Sequence, residues 1–419
     1  MRYGIVGFGT AGYHGVKNIR KFDKSGIIDV YSNTGLAPYN PMLTTYYAAG
    51  KLPYEGMFPF GALEQMQKEL EFTCRAETVK RVDAKKLCIE TEQGKETYDK
   101  ILIASGARAV GPDIQGLAKE DCFLMRTAED GKRLRERIDT GKAGYAIVIG
   151  ASMVGIKVAE LLNQQGIRTC LVDLAEQIFP LAAYPDVAKE IERRVERQGV
   201  TLHFGATVDR MEQREGCQMA VLTDGTSVLA DLVVMCIGTR PNTDLAADQV
   251  KVNRGIIVNE KMETSVPGVY AAGDCCEGNN LESGQTQIIG LWANANHQGL
   301  TAGANMAGHS QEFQGNIPHN ITHFMNMDFI GFGDNRIQGK ILEHGSLQEG
   351  LFIRLVCKDG VIAGANILEN FRISGMIKNY MLRLFSGDRR EIPDYQRGML
   401  VKAGISEEFI DKIAGEIYG

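Results

Sequence analysis

Three glycines near the start of the chain have a spacing that suits phosphate binding. Gly7, Gly9 and Gly12 form a GxGxxG pattern directly after the apolar residues 3–6 and before a helical stretch at 11–21. In such a turn the first glycine permits the bend and the second lets backbone N–H groups approach a pyrophosphate. The third lets the helix pack on the sheet. The order of strand, glycine turn and helix therefore predicts a dinucleotide-binding fold.

A second copy of this pattern lies in the middle of the chain. Gly150, Ser152 and Gly155 follow the apolar residues 146–149, and Asp173 ends the next predicted strand. An acid at this distance from the turn binds the ribose 2′-hydroxyl of NAD(H). A 2′-phosphate would meet like charge there, so the sequence favours NADH over NADPH. Serine at the middle position narrows the approach of the phosphate without blocking it.

The first copy lacks the matching acid. Ser32 and Asn33 occupy the end of its second predicted strand, at residues 27–31. Both side chains can hydrogen-bond a ribose without adding charge. The ligand of the first copy therefore has to be identified from other segments.

Three further segments resemble the pyridine nucleotide–disulfide oxidoreductase superfamily. Residues 101–108 (ILIASGAR) look like its ATG-type strand and turn, and residues 237–242 (IGTRPN) resemble its return to the FAD domain. Residues 264–274 (TSVPGVYAAGD) resemble its second FAD fingerprint. The resemblance implies FAD in the first dinucleotide site and NAD(H) in the second. It adds these expected cofactor-binding residues: Val79, Ala104, Ser105, Gly106, Arg108, Gly238 and Asp274.

The family's redox-active cysteine has no counterpart here. Disulfide reductases of the family carry a CxxxxC pair, and residues 8–20 contain no cysteine. Aligning the loop of the coenzyme A disulfide reductases and water-forming NADH oxidases puts Met42 at the cysteine position. A thioether cannot act as a thiolate or form a sulfenic acid. Pro41 stands where rubredoxin and ferredoxin reductases usually have Arg, and Lys51 is near enough in sequence to compensate.

Two side chains are candidates for tuning hydride transfer between the cofactors. Lys157 stands where the family usually has Glu, so it reverses the charge expected near the nicotinamide. We hypothesise that Lys157 stabilises negative charge on the reduced flavin or pairs with a partner's carboxylate. The alternative is a lysine extending into solvent from a helix surface. Trp292 precedes a helix whose N-terminus, by resemblance, points at the flavin, although core packing would also explain a tryptophan.

Other reactive residue types carry weaker signals. Cys275 and Cys276 follow Asp274, but adjacent cysteines form strained disulfides and both are expected to be buried thiols. His297, His319 and His323 show no metal-ligand spacing, His14 is expected on a face of the first helix, and there is no CxxC pair. We therefore predict no metal site.

These motifs predict an α/β fold with two Rossmann-like domains and an α+β C-terminal interface domain. By the family layout, the FAD domain is discontinuous (1–108 and 237–315), the NAD(H) domain covers 109–236 and the interface domain covers 316–419. In the last region, residues 351–356 and 361–365 read as two strands across a turn, followed by a helix at about 373–385.

Composition excludes several classes of protein. The 419 residues carry a formal net charge of −6 and no long Lys/Arg run, which argues against nucleic-acid binding. No apolar stretch approaches the ~20 residues of a transmembrane helix. An apolar strand beginning at Tyr3 leaves no room for a targeting peptide. We therefore expect a cytoplasmic protein without membrane contact.

Together these features predict an FAD-dependent NAD(P)H:acceptor oxidoreductase. Without a thiol centre, electrons must leave by another route, which favours an electron-carrier protein such as a ferredoxin, a rubredoxin or an iron–sulfur subunit. We expect a homodimer or a subunit of a redox complex. Two alternatives stay open at this stage: a small-molecule acceptor such as oxygen or a quinone, and a non-catalytic NADH-sensing flavoprotein.

Overall fold

The computed structural model describes residues 1–214 and 217–418. These residues form two units, each assembled from segments that are distant in the chain. The first unit contains Met1–Tyr47, Leu52–Ala109 and Thr239–Asn316, and the second contains Ala48–Lys51, Val110–Gly238 and Ile317–Gly419. The predicted division into three domains stays a prediction.

The first unit is built on a five-stranded parallel sheet. Its strands, in the order β18-β7-β1-β2-β3, are β18 (Val269–Ala271), β7 (Lys100–Ile103), β1 (Arg2–Val6), β2 (Ile27–Tyr31) and β3 (Thr73–Arg75). Val6 lies opposite both Tyr31 and Ile103, so three strands end at one level. The carboxyl ends of parallel strands are where open α/β sheets bind ligands.

Smaller antiparallel sheets and four helices complete this unit. The strands are β4 (Val79–Asp83), β5 (Cys88–Thr91), β6 (Lys95–Thr97), β8 (Ala107–Ala109) paired with β17 (Thr239–Pro241), and β19 (Gly278–Asn280) paired with β20 (Gln285–Gln287). The helices are α1 (Thr10–Phe22), α2 (Thr44–Ala48), α3 (Leu63–Leu70) and α7 (Trp292–Met306), with 3₁₀ turns at Pro41–Leu43 and Tyr54–Met57.

Helices α1 and α7 pack with their backbones in close contact. A Cβ atom added at Gly299 would overlap the carbonyl oxygen of Ala11, and one at Gly303 would overlap that of Gly15. Residue numbers rise together along both helices, so they run parallel. Glycine is required at these two positions of α7 because any side chain would push the helices apart.

The second unit contains another five-stranded parallel sheet. Its strands, in the order β12-β11-β10-β16-β9, are β12 (Thr201–Phe204), β11 (Arg168–Asp173), β10 (Tyr145–Ile149), β16 (Leu232–Met235) and β9 (Cys122–Leu124). The central strand β10 is completely apolar apart from Tyr145 and is flanked on both sides, as a strand buried on both faces requires.

The described residues of the second unit also form two antiparallel sheets and six helices. The sheets are β13 (Val208–Arg214), β14 (Cys217–Leu222) and β15 (Ser227–Leu229), and, in the order β21-β22-β25-β24-β23, β21 (His319–Phe324), β22 (Met327–Phe332), β25 (Val361–Leu368), β24 (Phe352–Lys358) and β23 (Lys340–Gly345). The helices are α4 (Ala128–Asp139), α5 (Met153–Gln164), α6 (Pro185–Arg197), α8 (Ser374–Phe385), α9 (Asp394–Lys402) and α10 (Glu407–Tyr418), with 3₁₀ turns at Lys119–Asp121 and Phe371–Ile373.

The predicted α/β fold with two Rossmann-like cores is confirmed. The predicted strand–turn–helix elements at both glycine patterns match β1 and α1, and β10 and α5, within a few residues. The predicted C-terminal hairpin and helix match β24, β25 and α8. Of the helices in the described part of the chain, none combines the length and apolar character that a membrane crossing requires.

Candidate functional site

The three glycines of the first turn have three different surroundings. Gly7 has a φ of +97°, and a Cβ there would overlap the Ala104 carbonyl oxygen. A Cβ at Gly12 would overlap the carbonyl oxygen of Gly7. At Gly9 a Cβ would meet no atom of the described residues within 4 Å, and no side chain caps α1. Gly7 and Gly12 thus have no room for a side chain. Gly9 faces open space, which leaves room for a phosphate to approach the backbone.

The second turn repeats this geometry in the second unit. Gly150 has a φ of +107°, and its Cβ would lie 2.5 Å from the Cys236 carbonyl oxygen. A Cβ at Gly155 would overlap the carbonyl oxygen of Gly150. The Ser152 hydroxyl does not cap α5 and instead donates to the Cys236 carbonyl oxygen at 3.4 Å. Serine in the middle position therefore leaves the N-terminus of α5 uncapped for an anion.

The ends of the second strands differ in charge between the two copies. The Asp173 carboxylate accepts hydrogen bonds from the N–H groups of Ala151, at 2.6 Å, and Ala175, at 2.8 Å. These bonds fix the carboxylate beside the second turn. In the first unit, Ser32 is buried and its hydroxyl lies 3.2 Å from that of Thr34, while Asn33 is exposed. The end of the second strand thus carries a carboxylate in the second unit and uncharged Ser32 and Asn33 in the first, and the roles of all three residues toward a ribose stay predictions.

Two crossings of the chain in the first unit are joined through Asn242. The Ser105 hydroxyl donates to the Asn242 carbonyl oxygen at 2.7 Å, and the Asn242 N–H donates to Gly106 O at 2.9 Å. Arg108 donates to the Asn242 side chain at 2.9 Å and forms an ion pair with Asp244 at 3.1 Å. These bonds join residues 105–108 to residues 242–244, which lie on either side of the stretch 110–238 that belongs to the second unit.

Asp274 lies among the elements that form the first turn. The preceding Gly273 has a φ of +85°, its Cβ would lie 3.1 Å from that of Ala11, and its N–H donates to the buried Gln298 at 2.8 Å. A Cβ at Gly290 would lie 3.8 Å from an Asp274 carboxylate oxygen. Asp274 is therefore held between the start of α1 and the segment that leads into α7.

No described hydrogen bond joins Val79 or Gly238, two of the predicted cofactor-binding residues, to either glycine turn or to Asp274. Val79 begins β4 and is half-buried. Gly238 belongs to the second unit, has a φ of +105°, and accepts a hydrogen bond from the Val110 N–H at 3.0 Å. Their roles stay predictions.

Lys157 forms a buried ion pair with a residue that the sequence reasoning missed. Its Nζ lies 2.5 Å from Glu160 Oε2 and donates to the His323 carbonyl oxygen at 2.8 Å. The side chains of Lys157 and Glu160 are 11% and 6% exposed, so the alternative of a lysine extending into solvent is wrong. Its i,i+3 spacing from Glu160 was the sequence signal for this pair. The role proposed for Lys157 in hydride transfer stays a prediction.

Glu160 connects α5 to the turn between β21 and β22. It also accepts the Met325 N–H at 2.9 Å, and Lys51 lies 3.9 Å away. Burial alone would raise the pKa of Glu160, but the hydrogen bonds from Lys157 and the Met325 N–H lower the pKa below its usual value. The carboxylate is thus charged and fully engaged within the second unit.

Met42 and Trp292, the other two candidates for the reaction site, both belong to the first unit. Met42 is 53% exposed in the 3₁₀ turn that begins at Pro41, and its N–H donates to the Asn40 side chain at 3.0 Å. Trp292 is the first residue of α7 and stacks on Phe60, with ring centroids 5.6 Å apart. Phe60 is a second residue that sequence reasoning missed, because nothing in a sequence signals a stack between distant segments.

Cys275, Cys276 and His14 have hydrogen-bond partners within the first unit. Cys275 and Cys276 are buried free thiols that donate to backbone carbonyl oxygens, Cys275 to Ile103 O at 3.3 Å and Cys276 to Gly273 O at 3.4 Å. His14 is buried and its Nδ1 lies 2.8 Å from the Thr10 carbonyl oxygen. Within residues 1–214 and 217–418, no cluster of three His, Cys, Asp or Glu side chains could hold a metal ion.

Comparison with known proteins agrees with this geometry. Residues 1–299 match the family described as pyridine nucleotide-disulphide oxidoreductase. An NADH oxidase of Methanocaldococcus jannaschii is 30% identical over 80% of this chain and 76% of its own length. This chain belongs to the pyridine nucleotide-disulphide oxidoreductase family. A rubredoxin-NAD(+) reductase of Acinetobacter baylyi is 28% identical over 66% of this chain and 72% of its own length.

The fold of this family member also matches solved structures. The water-forming NADH oxidase of Lactobacillus brevis, bound to NADH, superposes with a TM-score of 0.85 at 23% identity, covering 92% of this chain and 91% of that one. As a member of the family, the chain is a flavin-dependent NAD(P)H oxidoreductase with FAD and NAD(H) as its cofactors. When bound, these cofactors supply hydride transfer between nicotinamide and flavin.

The residues present fit both cofactors. Each unit has one glycine turn at the carboxyl end of a parallel sheet, with an uncapped helix N-terminus behind it. Such a terminus attracts the pyrophosphate that both dinucleotides contain. The protein's own contribution is to bind and orient two dinucleotides and to set the charge at each ribose.

Proposed function

We propose that this chain exchanges electrons between NADH and an electron-carrier protein of the ferredoxin or rubredoxin type, or an iron–sulfur subunit of a larger enzyme. In this proposal the first unit holds FAD through Gly7, Gly9, Gly12 and Asp274, and the second holds NAD(H) through its own turn and Asp173. Residues 316–419 serve as the interface region of a homodimer or redox complex.

The identity of residue 42 carries the proposal. Residues 36–62 contain no cysteine. Met42 stands at the position that aligns with the redox-active cysteine of the thiol-dependent family members. The Met42 side chain is exposed in its 3₁₀ turn. A thioether cannot take part in thiol–disulfide exchange, and it cannot store the two electrons of a hydride as a thiol–disulfide centre does. Two electrons delivered by NADH must therefore pass to an acceptor outside the chain, and the rubredoxin-reductase relative supports a protein acceptor.

A small-molecule acceptor is the second candidate. The observation in its favour is the M. jannaschii relative, which is named for NADH oxidase activity and is 30% identical to this chain. The same missing thiol argues against efficient four-electron reduction of oxygen to water, but it leaves slow formation of peroxide open. The direction of electron flow is also open in this proposal: a ferredoxin of low potential would reduce NAD⁺ through the flavin.

One kinetic comparison separates these candidates. The purified holoprotein is mixed with NADH in air, under nitrogen with a quinone, and under nitrogen with ferredoxin or rubredoxin. We expect NADH oxidation at least tenfold faster with a carrier protein than in air or with the quinone. The matched control is the protein stripped of FAD, which should be inactive with every acceptor. Faster turnover in air or with the quinone would contradict the carrier proposal, and no oxidation of bound NADH would favour the NADH-sensing alternative.

A further inference from the structure

The start of α7 lies beyond the start of α1, the helix behind the first glycine turn. The two helices run parallel, with Gly299 level with Ala11 and Gly303 level with Gly15. Helix α7 begins seven residues before Gly299, whereas α1 begins one residue before Ala11. The difference of six residues, at a rise of about 1.5 Å each, carries the start of α7 about 9 Å past the start of α1.

This offset indicates which end of a dinucleotide lies near α7. A pyrophosphate at the N-terminus of α1 leaves its two nucleoside halves extending away from the turn. The polyol chain of FAD needs hydrogen-bond acceptors, and Asp274 supplies a carboxylate 3.8 Å from the Cβ position of Gly290. Gly290 precedes Trp292 by two residues. The flavin half is therefore expected on the side where α7 begins.

Two other aromatic rings hold the Trp292 ring in place. We define the aromatic column as Tyr13, Phe60 and Trp292. Phe60 stacks on Trp292 with an interplanar angle of 12° and a centroid distance of 5.6 Å, and on Tyr13 with 25° and 4.4 Å. His14 packs edge-on to Phe60 at 5.4 Å. Because Tyr13 lies on α1, the column ties the indole orientation to the helix behind the phosphate-binding turn.

The indole N–H of Trp292 is buried and has no hydrogen-bond partner among the described residues. Leaving such a donor unpaired in a protein interior is energetically unfavourable, so native structures nearly always supply an acceptor. No side chain caps α7, which leaves its N-terminal end open to an electron-rich group. The carbonyl oxygens and ring nitrogens of a flavin are acceptors of this kind.

We propose that the Trp292 indole N–H donates a hydrogen bond to an acceptor atom of the flavin ring of FAD, and that the aromatic column holds the indole in position. The proposal rests on the assignment of FAD to the first unit. Trp292 thereby acts on the cofactor directly, while Phe60 is a positioning residue. A donor at this place stabilises the reduced ring, which carries more electron density than the oxidised ring.

The single tryptophan of the chain permits a direct test without mutation. Protein labelled with ¹⁵N-tryptophan gives one indole N–H signal. Adding FAD to the apoprotein should move this signal downfield and slow its exchange with solvent, because the proton enters a hydrogen bond. A signal that keeps its position and its exchange rate when FAD is bound would overturn the proposal.

Matched variants test the consequence for the cofactor. Trp292→Phe keeps a ring in the column and deletes the donor, so we expect about fivefold weaker FAD binding. It should also shift the visible flavin spectrum and make the midpoint potential more negative. Tyr395→Phe removes a hydroxyl from an exposed position of α9 and should change none of these values. Phe60→Leu should weaken FAD binding and Phe60→Tyr should restore it.

Unchanged FAD affinity, spectrum and potential in Trp292→Phe would mean that the indole N–H bonds to water, and the proposal would fail. These measurements involve neither NADH nor a carrier protein. They can therefore fail while the carrier proposal stands, and the reverse also holds.

Discussion

At the scale of single residues, the two dinucleotide sites differ mainly in the charge that follows the second strand. Ser32 and Asn33 place no charge at this position of the first unit, whereas Asp173 places a carboxylate there in the second. The Asp173 carboxylate is held by the Ala151 and Ala175 N–H groups, so it cannot easily turn away from a ligand. A fixed carboxylate accepts a hydrogen bond from a ribose hydroxyl and repels a 2′-phosphate.

Asp173→Ala should therefore reduce the preference for NADH over NADPH. Loss of a hydrogen bond to a charged group, together with relief of repulsion, predicts at least a tenfold fall in the ratio of the two kcat/KM values. Steady-state kinetics with each coenzyme measure this ratio. Asp209→Ala removes an equal charge from an exposed position of strand β13 and should leave the ratio unchanged. An unaltered ratio in Asp173→Ala would place the ribose contact elsewhere.

The buried pair of Lys157 and Glu160 should make a pH-dependent contribution to stability. Its partners lower the pKa of Glu160 in the folded protein. Stabilisation by this carboxylate is therefore fully present above its unfolded pKa of about 4.3 and is lost as the pH falls through the lower folded value. Glu160→Gln should lower the free energy of unfolding by about 3 kcal/mol at pH 7, since it removes the carboxylate with which the largely buried Lys157 forms its ion pair.

Urea unfolding at pH 7 and below pH 4 measures this effect, and the gap between Glu160→Gln and the parent should shrink at the lower pH. As a control, the double variant Lys157→Met, Glu160→Leu removes both charges and should lose less stability than the two single losses added together. A gap that is the same at both pH values would show that the carboxylate charge contributes nothing.

At the scale of elements, the contact between α1 and α7 depends on two glycines. Gly303→Ala places a methyl group against the Gly15 carbonyl oxygen, and the helices must separate to accommodate it. Overpacking of this kind predicts a loss of about 1–3 kcal/mol in the free energy of unfolding. FAD should also bind more weakly because α7 carries Trp292. Chemical denaturation and FAD titration measure both effects.

Gly398→Ala is the matched control for this prediction. Gly398 lies within α9, and a Cβ there would meet no atom of the described residues within 4 Å. Alanine has the higher helix propensity, so this variant should be neutral or more stable by up to about 1 kcal/mol. Equal stability of Gly303→Ala and Gly398→Ala would contradict the interpretation of the α1–α7 contact.

The elements could be predicted from sequence where the determining interactions are local. A glycine at a positive φ between an apolar strand and a helix is visible in the sequence, and both turns lie where Gly7 and Gly150 predict them. Two apolar runs on either side of a Lys-Asp-Gly turn indicated β24 and β25 in the same way. These features depend on neighbours in the chain, so the sequence contains their cause.

Contacts between distant segments could not be predicted. The stack of Phe60 on Trp292 and the bond from Lys157 to the His323 carbonyl oxygen join elements that only the folded chain brings together. The orientation of the Ser152 hydroxyl depends in the same way on the Cys236 carbonyl oxygen. The contacts that orient the side chains of each candidate site are mostly contacts between distant segments.

At the scale of the whole molecule, the two units each have their own dinucleotide turn and parallel sheet. A ligand that binds a folded unit slows the opening of the segments that contact it. Hydrogen exchange followed by mass spectrometry should therefore show FAD protecting residues 7–13 and 271–275, and NAD⁺ protecting residues 150–156 and 173–175. The protein without either ligand is the reference. Protection by NAD⁺ at residues 7–13 would reverse the assignment of the sites.

The discontinuity of the first unit has a consequence for the order of events during synthesis. Strand β18 and helix α7 lie at residues 269–306, behind the whole of the stretch 110–238. A nascent chain that ends near residue 240 already contains the glycine turn and α1. It still lacks α7, the helix whose Gly299 and Gly303 pack against α1. Under the proposed assignment of FAD to the first unit, we therefore expect FAD to bind only after residues 269–306 have been synthesised, which is later than the synthesis of the parallel sheet of the second unit.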